Sequence, residues 1–237
     1  MPPIHCARKG SAGPAVFYTE DNIMKDFSVV MALVDFIPVL LFAVAAVILM
    51  RDLYNKMSKG AFALFAAGAI DIVCAGALKA LYKLLYAAGV CDFEPLNAMF
   101  FPVQSIGFLL AGVGILAMIC HRQTPKKVYS VTAAAVPVFT GTFIFVGFMC
   151  GGLGLITVGL SYLSAKLKKG WVMAIFIFAF FCCVGMGYLS SRDFTQASMN
   201  WIAQGVNVAG QGAFLAGTLL LHKFGLAELK LRTGESE

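Results

Sequence analysis

Four amide side chains recur at helical spacing in the last apolar stretch of the chain. The series i, i+4, i+7, i+11 is formed by Asn200, Gln204, Asn207 and Gln211, and it places all four amides on one face of a helix. An amide both donates and accepts hydrogen bonds, so this face can bind a polar solute. It can instead hold neighbouring helices together, at about 1 kcal/mol for each hydrogen bond. Both interpretations require a face that points away from lipid.

Three ionisable residues also fall inside apolar stretches, where a charge is costly and marks a functional candidate. Asp71 lies near the middle of its stretch without a basic residue one turn away, and it suits either proton or cation coupling or a hydrogen-bonded helix clamp. Asp35 and Lys79 reach a similar level on adjacent stretches, which predicts an ion pair between them. The alternative for Lys79 and Lys83 is that both extend towards the lipid headgroups.

Other catalytic or metal-binding patterns are absent from the sequence. It contains no GxSxG, HExxH or P-loop motif, and its seven cysteines form no CxxC. We therefore predict no metal site and no cofactor. An intramembrane hydrolase that uses a pair of acids remains an alternative, with Asp35 and Asp71 as the pair.

The amino-acid composition indicates whether the chain folds in water or in a lipid bilayer. Of the 237 residues, 60% are hydrophobic and 13% are charged, and the mean hydropathy is +0.85. Soluble domains carry roughly 45–50% apolar and about 25% charged residues, so this chain cannot cover a water-soluble globule. The net charge of +6 resides in short basic clusters between apolar runs, which argues against nucleic acid as a partner and for a lipid bilayer.

Seven apolar runs are long enough to predict transmembrane helices. They are Phe27–Met50, Gly60–Val90, Leu96–Cys120, Val131–Met149, Leu153–Leu167, Trp171–Leu189 and Met199–Leu221. A single helix from 131 to 167 would be about 55 Å long, so Cys150-Gly151-Gly152 is interpreted as a tight hairpin between the fourth and fifth runs. The prediction is an all-α, polytopic bundle of seven transmembrane helices over residues 27–222. A mobile extracytoplasmic tail (1–26) precedes it and a cytoplasmic tail (223–237) follows it.

The basic residues alternate between the two sides of this bundle. The first, third and fifth connections and the C-terminal tail hold twelve Lys and Arg residues, against four on the opposite side. Positive residues stay in the cytoplasm during insertion. The N-terminus is therefore predicted outside and the C-terminus inside, in a multi-pass protein of the cell membrane.

The third and seventh runs match each other at a constant offset of 103 residues. The matching residues are Asn97, Val103, Gln104 and Gly107 in one run and Asn200, Val206, Asn207 and Gly210 in the other. The second and sixth runs both follow a Lys-Gly pair, Lys59-Gly60 and Lys169-Gly170. These matches predict a 3+1+3 plan, in which two triple-helix halves of the same orientation flank a linker helix. Small residues are common in membrane helices, so chance is the alternative.

A seven-helix 3+1+3 plan with an external N-terminus resembles the SWEET and PQ-loop transporters. The resemblance implies that the third and seventh helices face a central substrate pocket, which would place Gln104 and Asn207 there. SWEETs carry proline kinks on the first and fifth helices. Here the first run has Pro38, the fifth has no proline, and no PQ dipeptide occurs.

These observations predict a transporter or channel for a small polar solute or ion. The substrate would be bound between the two halves by Gln104, Asn200, Gln204, Asn207 and Gln211, and ion or proton coupling would involve Asp71, Asp35 and Lys79. The alternatives are a seven-helix sensor or receptor-like module and an intramembrane enzyme that uses Asp71. Assembly of the chain into a homo-oligomer is left open.

Overall fold

The computed structural model describes residues 29–120, 142–189 and 197–229, and within these ranges the regular structure is entirely helical. The helices are α1 (Val29–Val34), α2 (Phe36–Leu53), α3 (Lys59–Ala87), α4 (Glu94–Cys120), α5 (Thr142–Lys166), α6 (Trp171–Leu189) and α7 (Ala197–Lys223). A short 3-10 helix, Leu226–Glu228, follows α7. The tails predicted at 1–26 and 223–237 lie outside the described residues, apart from 223–229.

Within the ranges that the structure describes, four segments are long and apolar enough to cross a membrane. They are Val29–Leu53, which combines α1 and α2, Lys59–Ala87, Pro95–Cys120 and Ile144–Lys166. The apolar part of α6, Trp171–Met186, is shorter. α7 is not among the four because its four amides lower its mean hydropathy. These helices are those of a multi-pass membrane protein.

The hairpin predicted at Cys150-Gly151-Gly152 is wrong, because α5 runs through it without a break. Gly152 serves a different purpose from a turn. A Cβ atom at this position would overlap the backbone of Phe108 on α4, whereas one at Gly151 would meet open space. Small residues let two helix backbones approach closely. The part of the predicted run Val131–Met149 that precedes Thr142 lies outside the described residues.

Two helix pairs pack backbone to backbone through glycines. α3 and α4 are antiparallel, since Gly68 lies against Gly107 and Gly114 lies against Phe65. α4 and α5 are parallel, since Gly152 lies against Phe108 and Gly159 against Ile115. The C-terminal end of α4 and the N-terminal end of α5 therefore lie at opposite ends of the bundle.

The remaining contacts close a ring of helices in the order α2, α3, α4, α5, α6, α7 and back to α2. α6 and α7 are antiparallel, with Gly217 against Phe176. α2 and α7 are parallel, with Phe42 stacked on Phe214. α1 packs against α3.

The two ends of the ring differ in charge. One end, which we call the basic end, is where α2, α4, α5 and α7 end and where α3 and α6 begin. Its described basic residues are Arg51, Lys56, Lys59, Lys166, Lys168, Lys169 and Lys223. The opposite end, where α3 stops at Ala87 and α4 starts at Glu94, is called the cavity end. The fully buried apolar side chains concentrate towards the basic end and include Leu49, Leu53, Ile115, Leu160, Leu163, Val172 and Leu221.

Candidate functional site

A cavity of about 410 Å³ lies inside the ring, towards the cavity end, and every helix of the ring contributes to its wall. The polar and charged residues that line it are Asp35, Lys79, Lys83, Asn97, Gln104, Asn200, Gln204, Asn207 and Gln211. Its apolar lining includes Phe42, Tyr82, Phe100, Phe101 and Phe108. The space is thus large enough for a small organic solute and offers it both amides and aromatic rings.

The amide face of α7 points into this cavity. Asn200, Gln204, Asn207 and Gln211 all line it, and Gln104 joins them from α4. α4 and α7 stand three places apart in the ring, so Gln104 and Asn207 approach the cavity from opposite walls. Within the described residues, one hydrogen bond joins an amide of the α7 face to another helix, from Gln211 Nε2 to the Cys183 sulfur at 3.7 Å. Interhelical adhesion therefore accounts for little of this face.

Gln204 is the most deeply buried of these amides. The residue is 8% exposed, and its Oε1 atom has no hydrogen-bond partner within the described residues. A buried acceptor without a donor costs roughly 1–3 kcal/mol. If the side chain turned so that Oε1 met a hydrogen-bond donor on a bound solute, that cost would be recovered.

The charged residues are arranged differently from the sequence-based expectation. Asp35 pairs with Lys83, at 2.5 Å between Oδ2 and Nζ, and not with Lys79. Both side chains are mostly buried, at 10% and 21% exposure. Lys83 follows Lys79 by one helical turn on the same face of α3, so the sequence could not separate the two candidates. The Lys79 ammonium instead lies 3.9 Å from the ring centroid of Phe100.

Asp71 is not part of the cavity lining. Its Cβ faces the α4 backbone at Gly107, where an added Cβ would lie 3.1 Å away. Lys83, the partner of Asp35, is about 18 Å from Asp71 along α3. The two acids therefore do not form a catalytic pair.

Four phenylalanines form a floor beneath the cavity, on the side of the basic end. Phe42 stacks on Phe214 at 5.6 Å between centroids and meets Phe108 edge-on at 6.4 Å. Phe176 contacts Phe214 at 5.9 Å, and all four rings are less than 10% exposed. This phenylalanine floor separates the cavity from the packed core below it. Sequence reasoning missed Phe176, the ring that α6 contributes to this floor. Phe176 belongs to a phenylalanine-rich run whose members Phe178 and Phe181 are exposed, so the sequence does not separate the buried ring from the exposed ones.

A polar cluster closes the basic end between α2 and α7. The carboxylate of Asp52 is fully buried and accepts a hydrogen bond from His222, whose Nε2 in turn lies 3.0 Å from Arg51. Lys56 donates to the carbonyl oxygen of Ala227 at 2.6 Å. Burial lowers the pKa of Lys56, and the charge of Asp52 opposes that shift. The sequence indicated only that His222 ends a helix, since the pairing with Asp52 spans 170 residues.

The described residues contain no group of three or more His, Cys, Asp or Glu side chains that could hold a metal ion. No family model, curated protein or solved structure matches the chain. The resemblance to SWEET and PQ-loop transporters accordingly stays a prediction, and the function has to be argued from the cavity itself.

Proposed function

We propose that this protein is a membrane transporter that binds a small polar solute in the cavity between its two halves. The observation that carries the proposal is the buried amide of Gln204, whose Oε1 has no partner within the described residues and which lines a cavity of about 410 Å³. Five further amides line the same space. A cavity built only for stability would be filled by side chains or lined by apolar ones.

The arrangement of the helices supports the 3+1+3 plan. α2, α3 and α4 run in alternating directions, as do α5, α6 and α7, and the halves meet at the parallel pairs α4–α5 and α7–α2. The repeat-related residues Gln104 and Asn207 lie on opposite walls of the cavity. The chain leaves α4 at the basic end and enters α5 at the cavity end, which supports seven crossings.

The charge difference between the ends supports the orientation. The basic end would face the cytoplasm and the cavity end the exterior of the cell. The floor and the polar cluster would then close the cytoplasmic side, which corresponds to an outward-facing state of an alternating-access cycle.

Uptake into proteoliposomes tests this proposal. A labelled panel with one neutral sugar, one amino acid and one carboxylate (glucose, glutamine and lactate) is offered to the reconstituted full-length protein. We expect uptake of at least one compound, and a loss of about tenfold in apparent affinity in Asn207→Ala, since one hydrogen bond to a solute is worth about 1.4 kcal/mol. The matched control is Asn55→Ala, an exposed amide in the turn between α2 and α3, which should transport normally.

Two outcomes would overturn the proposal. One is uptake that Asn207→Ala and Gln204→Ala leave unchanged, because the solute would then pass elsewhere. The other is specific binding of a panel compound without any uptake, which favours the sensor or receptor-like alternative over a transporter.

A further inference from the structure

The charged groups that line the cavity do not balance. Two ammonium groups, those of Lys79 and Lys83, face a single carboxylate, that of Asp35, and within the described residues no other acid lines the cavity. Asp92, which also lies at this end, accepts a hydrogen bond from the Tyr82 hydroxyl at 3.2 Å and is not part of the lining. Because Asp35 is engaged by Lys83, the positive charge of Lys79 is left over.

Lys79 is held within the cavity wall and does not reach the end of its helix. It lies eight residues before Ala87, the last residue of α3, or about 12 Å at the helical rise. Its ammonium lies over the face of Phe100, and an aromatic face replaces only part of the hydration that an ammonium loses. A counter-anion would supply the rest.

We propose that the transported solute is a small organic carboxylate whose anionic group binds the ammonium of Lys79. This inference rests on the proposed function and specifies its substrate class. Lys79 is then the specificity-determining residue of the cavity, and Phe100 positions its side chain. Asp35, the one acid among the described residues of the lining, is paired with Lys83, which leaves the Lys79 ammonium for a ligand.

The rest of the lining indicates what else the carboxylate carries. Gln204 holds a buried acceptor without a partner in the described residues, and a turn of its side chain would present that acceptor to a hydroxyl or amide N–H group on the solute. Phe101 and Phe108 offer apolar surface between the amides. A hydroxy acid with a compact apolar body combines these three features.

Shape-matched probes separate charge from fit. The full-length protein, purified in detergent, is titrated with 4-hydroxybenzoate, 4-hydroxybenzamide and 4-hydroxybenzylamine, and with lactate and lactamide, and the thermal unfolding midpoint is followed. We expect the carboxylates to raise the unfolding midpoint. The neutral and cationic analogues should bind with an affinity at least about tenfold lower, because they cannot form the charge-assisted hydrogen bond with Lys79. Benzoate, which lacks the hydroxyl, should bind more weakly than 4-hydroxybenzoate in the wild type and equally in Gln204→Leu.

Variants assign the effect to one residue. Lys79→Gln should abolish the preference for carboxylate over amide, and Lys79→Arg should retain it, which also shows that the site remains folded. Lys59→Gln, at an exposed lysine of the basic end, should behave like the wild type.

Each alternative result has a distinct meaning. Equal binding of carboxylates and amides, unchanged in Lys79→Gln, would overturn the anion inference and leave the proposed function standing. Tighter binding of the amine would also overturn it and would assign recognition to Asp35. If no probe binds and no compound of the uptake panel is transported, the cavity is not a solute site, and both proposals fail together.

Discussion

The Nδ1 atom of His222 lies 2.8 Å from Oδ2 of Asp52, which joins the C-terminal ends of α7 and α2. Nε2 of the same ring lies 3.0 Å from the guanidinium of Arg51. The same guanidinium nitrogen is also 3.5 Å from Nδ1, so it lies over the imidazole ring. Since a carboxylate can only accept, Nδ1 must carry the proton that it donates to Asp52. His222 therefore donates a hydrogen bond to a buried carboxylate, next to the guanidinium of Arg51.

The hydrogen bond from His222 to Asp52 predicts the effect of removing the imidazole. His222→Ala leaves the Asp52 carboxylate, which is fully buried, without a hydrogen-bond donor. We expect a loss of about 1–3 kcal/mol of stability, measured as a lower thermal midpoint in detergent. In an Asp52→Leu background the same substitution should cost much less, because the buried charge is gone. Additive losses in the double variant would show that the two side chains do not act together.

The phenylalanine floor predicts a second effect, on access to the cavity. Phe214→Ala removes the ring that contacts both Phe42 and Phe176 and should cost about 3–5 kcal/mol of stability. In inside-out vesicles it should also increase labelling of Asn207→Cys by a membrane-impermeant thiol reagent. Phe178→Ala, at a ring that is 53% exposed, is the matched control and should change neither quantity. Unchanged labelling in Phe214→Ala would mean that the floor does not close the cavity.

The two adjacent glycines of α5 give a third prediction, with opposite signs. Gly152→Ala forces a methyl group into the α4 backbone at Phe108 and should be strongly destabilising. Gly151→Ala meets open space in a continuous helix and should stabilise it by up to about 1 kcal/mol, because alanine favours a helix over glycine. Thermal unfolding of the two variants decides the matter. Destabilisation by both would restore the hairpin that the sequence suggested.

Asp71 provides a fourth prediction, which separates binding from coupling. Because this residue does not line the cavity, Asp71→Asn should leave the affinity for the solute within about twofold of the wild type. If Asp71 couples transport to protons, the variant should lose uptake driven by a pH gradient and retain exchange without one. A tenfold loss of affinity at equilibrium would instead place Asp71 in the binding site.

The sequence was sufficient for α4, for α6 and for the amide face of α7. The predicted run Leu96–Cys120 starts two residues after α4 and ends with it, and the run Trp171–Leu189 has the same bounds as α6. Long apolar stretches between basic clusters have few alternative interpretations. The common face of Asn200, Gln204 and Asn207 follows from helical periodicity alone.

The errors share one physical cause, since each depended on a partner distant in sequence. A glycine pair indicates a turn and a close helix contact equally well, and only the position of Phe108 on α4 decides between them. The choice between Lys79 and Lys83 as the partner of Asp35 depends on the helix-to-helix offset. The link between Asp52 and His222 exists only once the ring closes.

The glycine contacts have a mechanical consequence. Where Gly68 meets Gly107 and Gly152 meets Phe108, backbone lies against backbone, so even a small sliding movement would produce collisions that no side-chain rotation could relieve. α3, α4 and α5 are therefore held together as one rigid slab, which spans the junction between α4 and α5. The pairs α2–α3 and α5–α6 meet through side chains, such as Lys83 with Asp35 and Phe180 with Gly154, and such contacts place no comparable restraint on sliding.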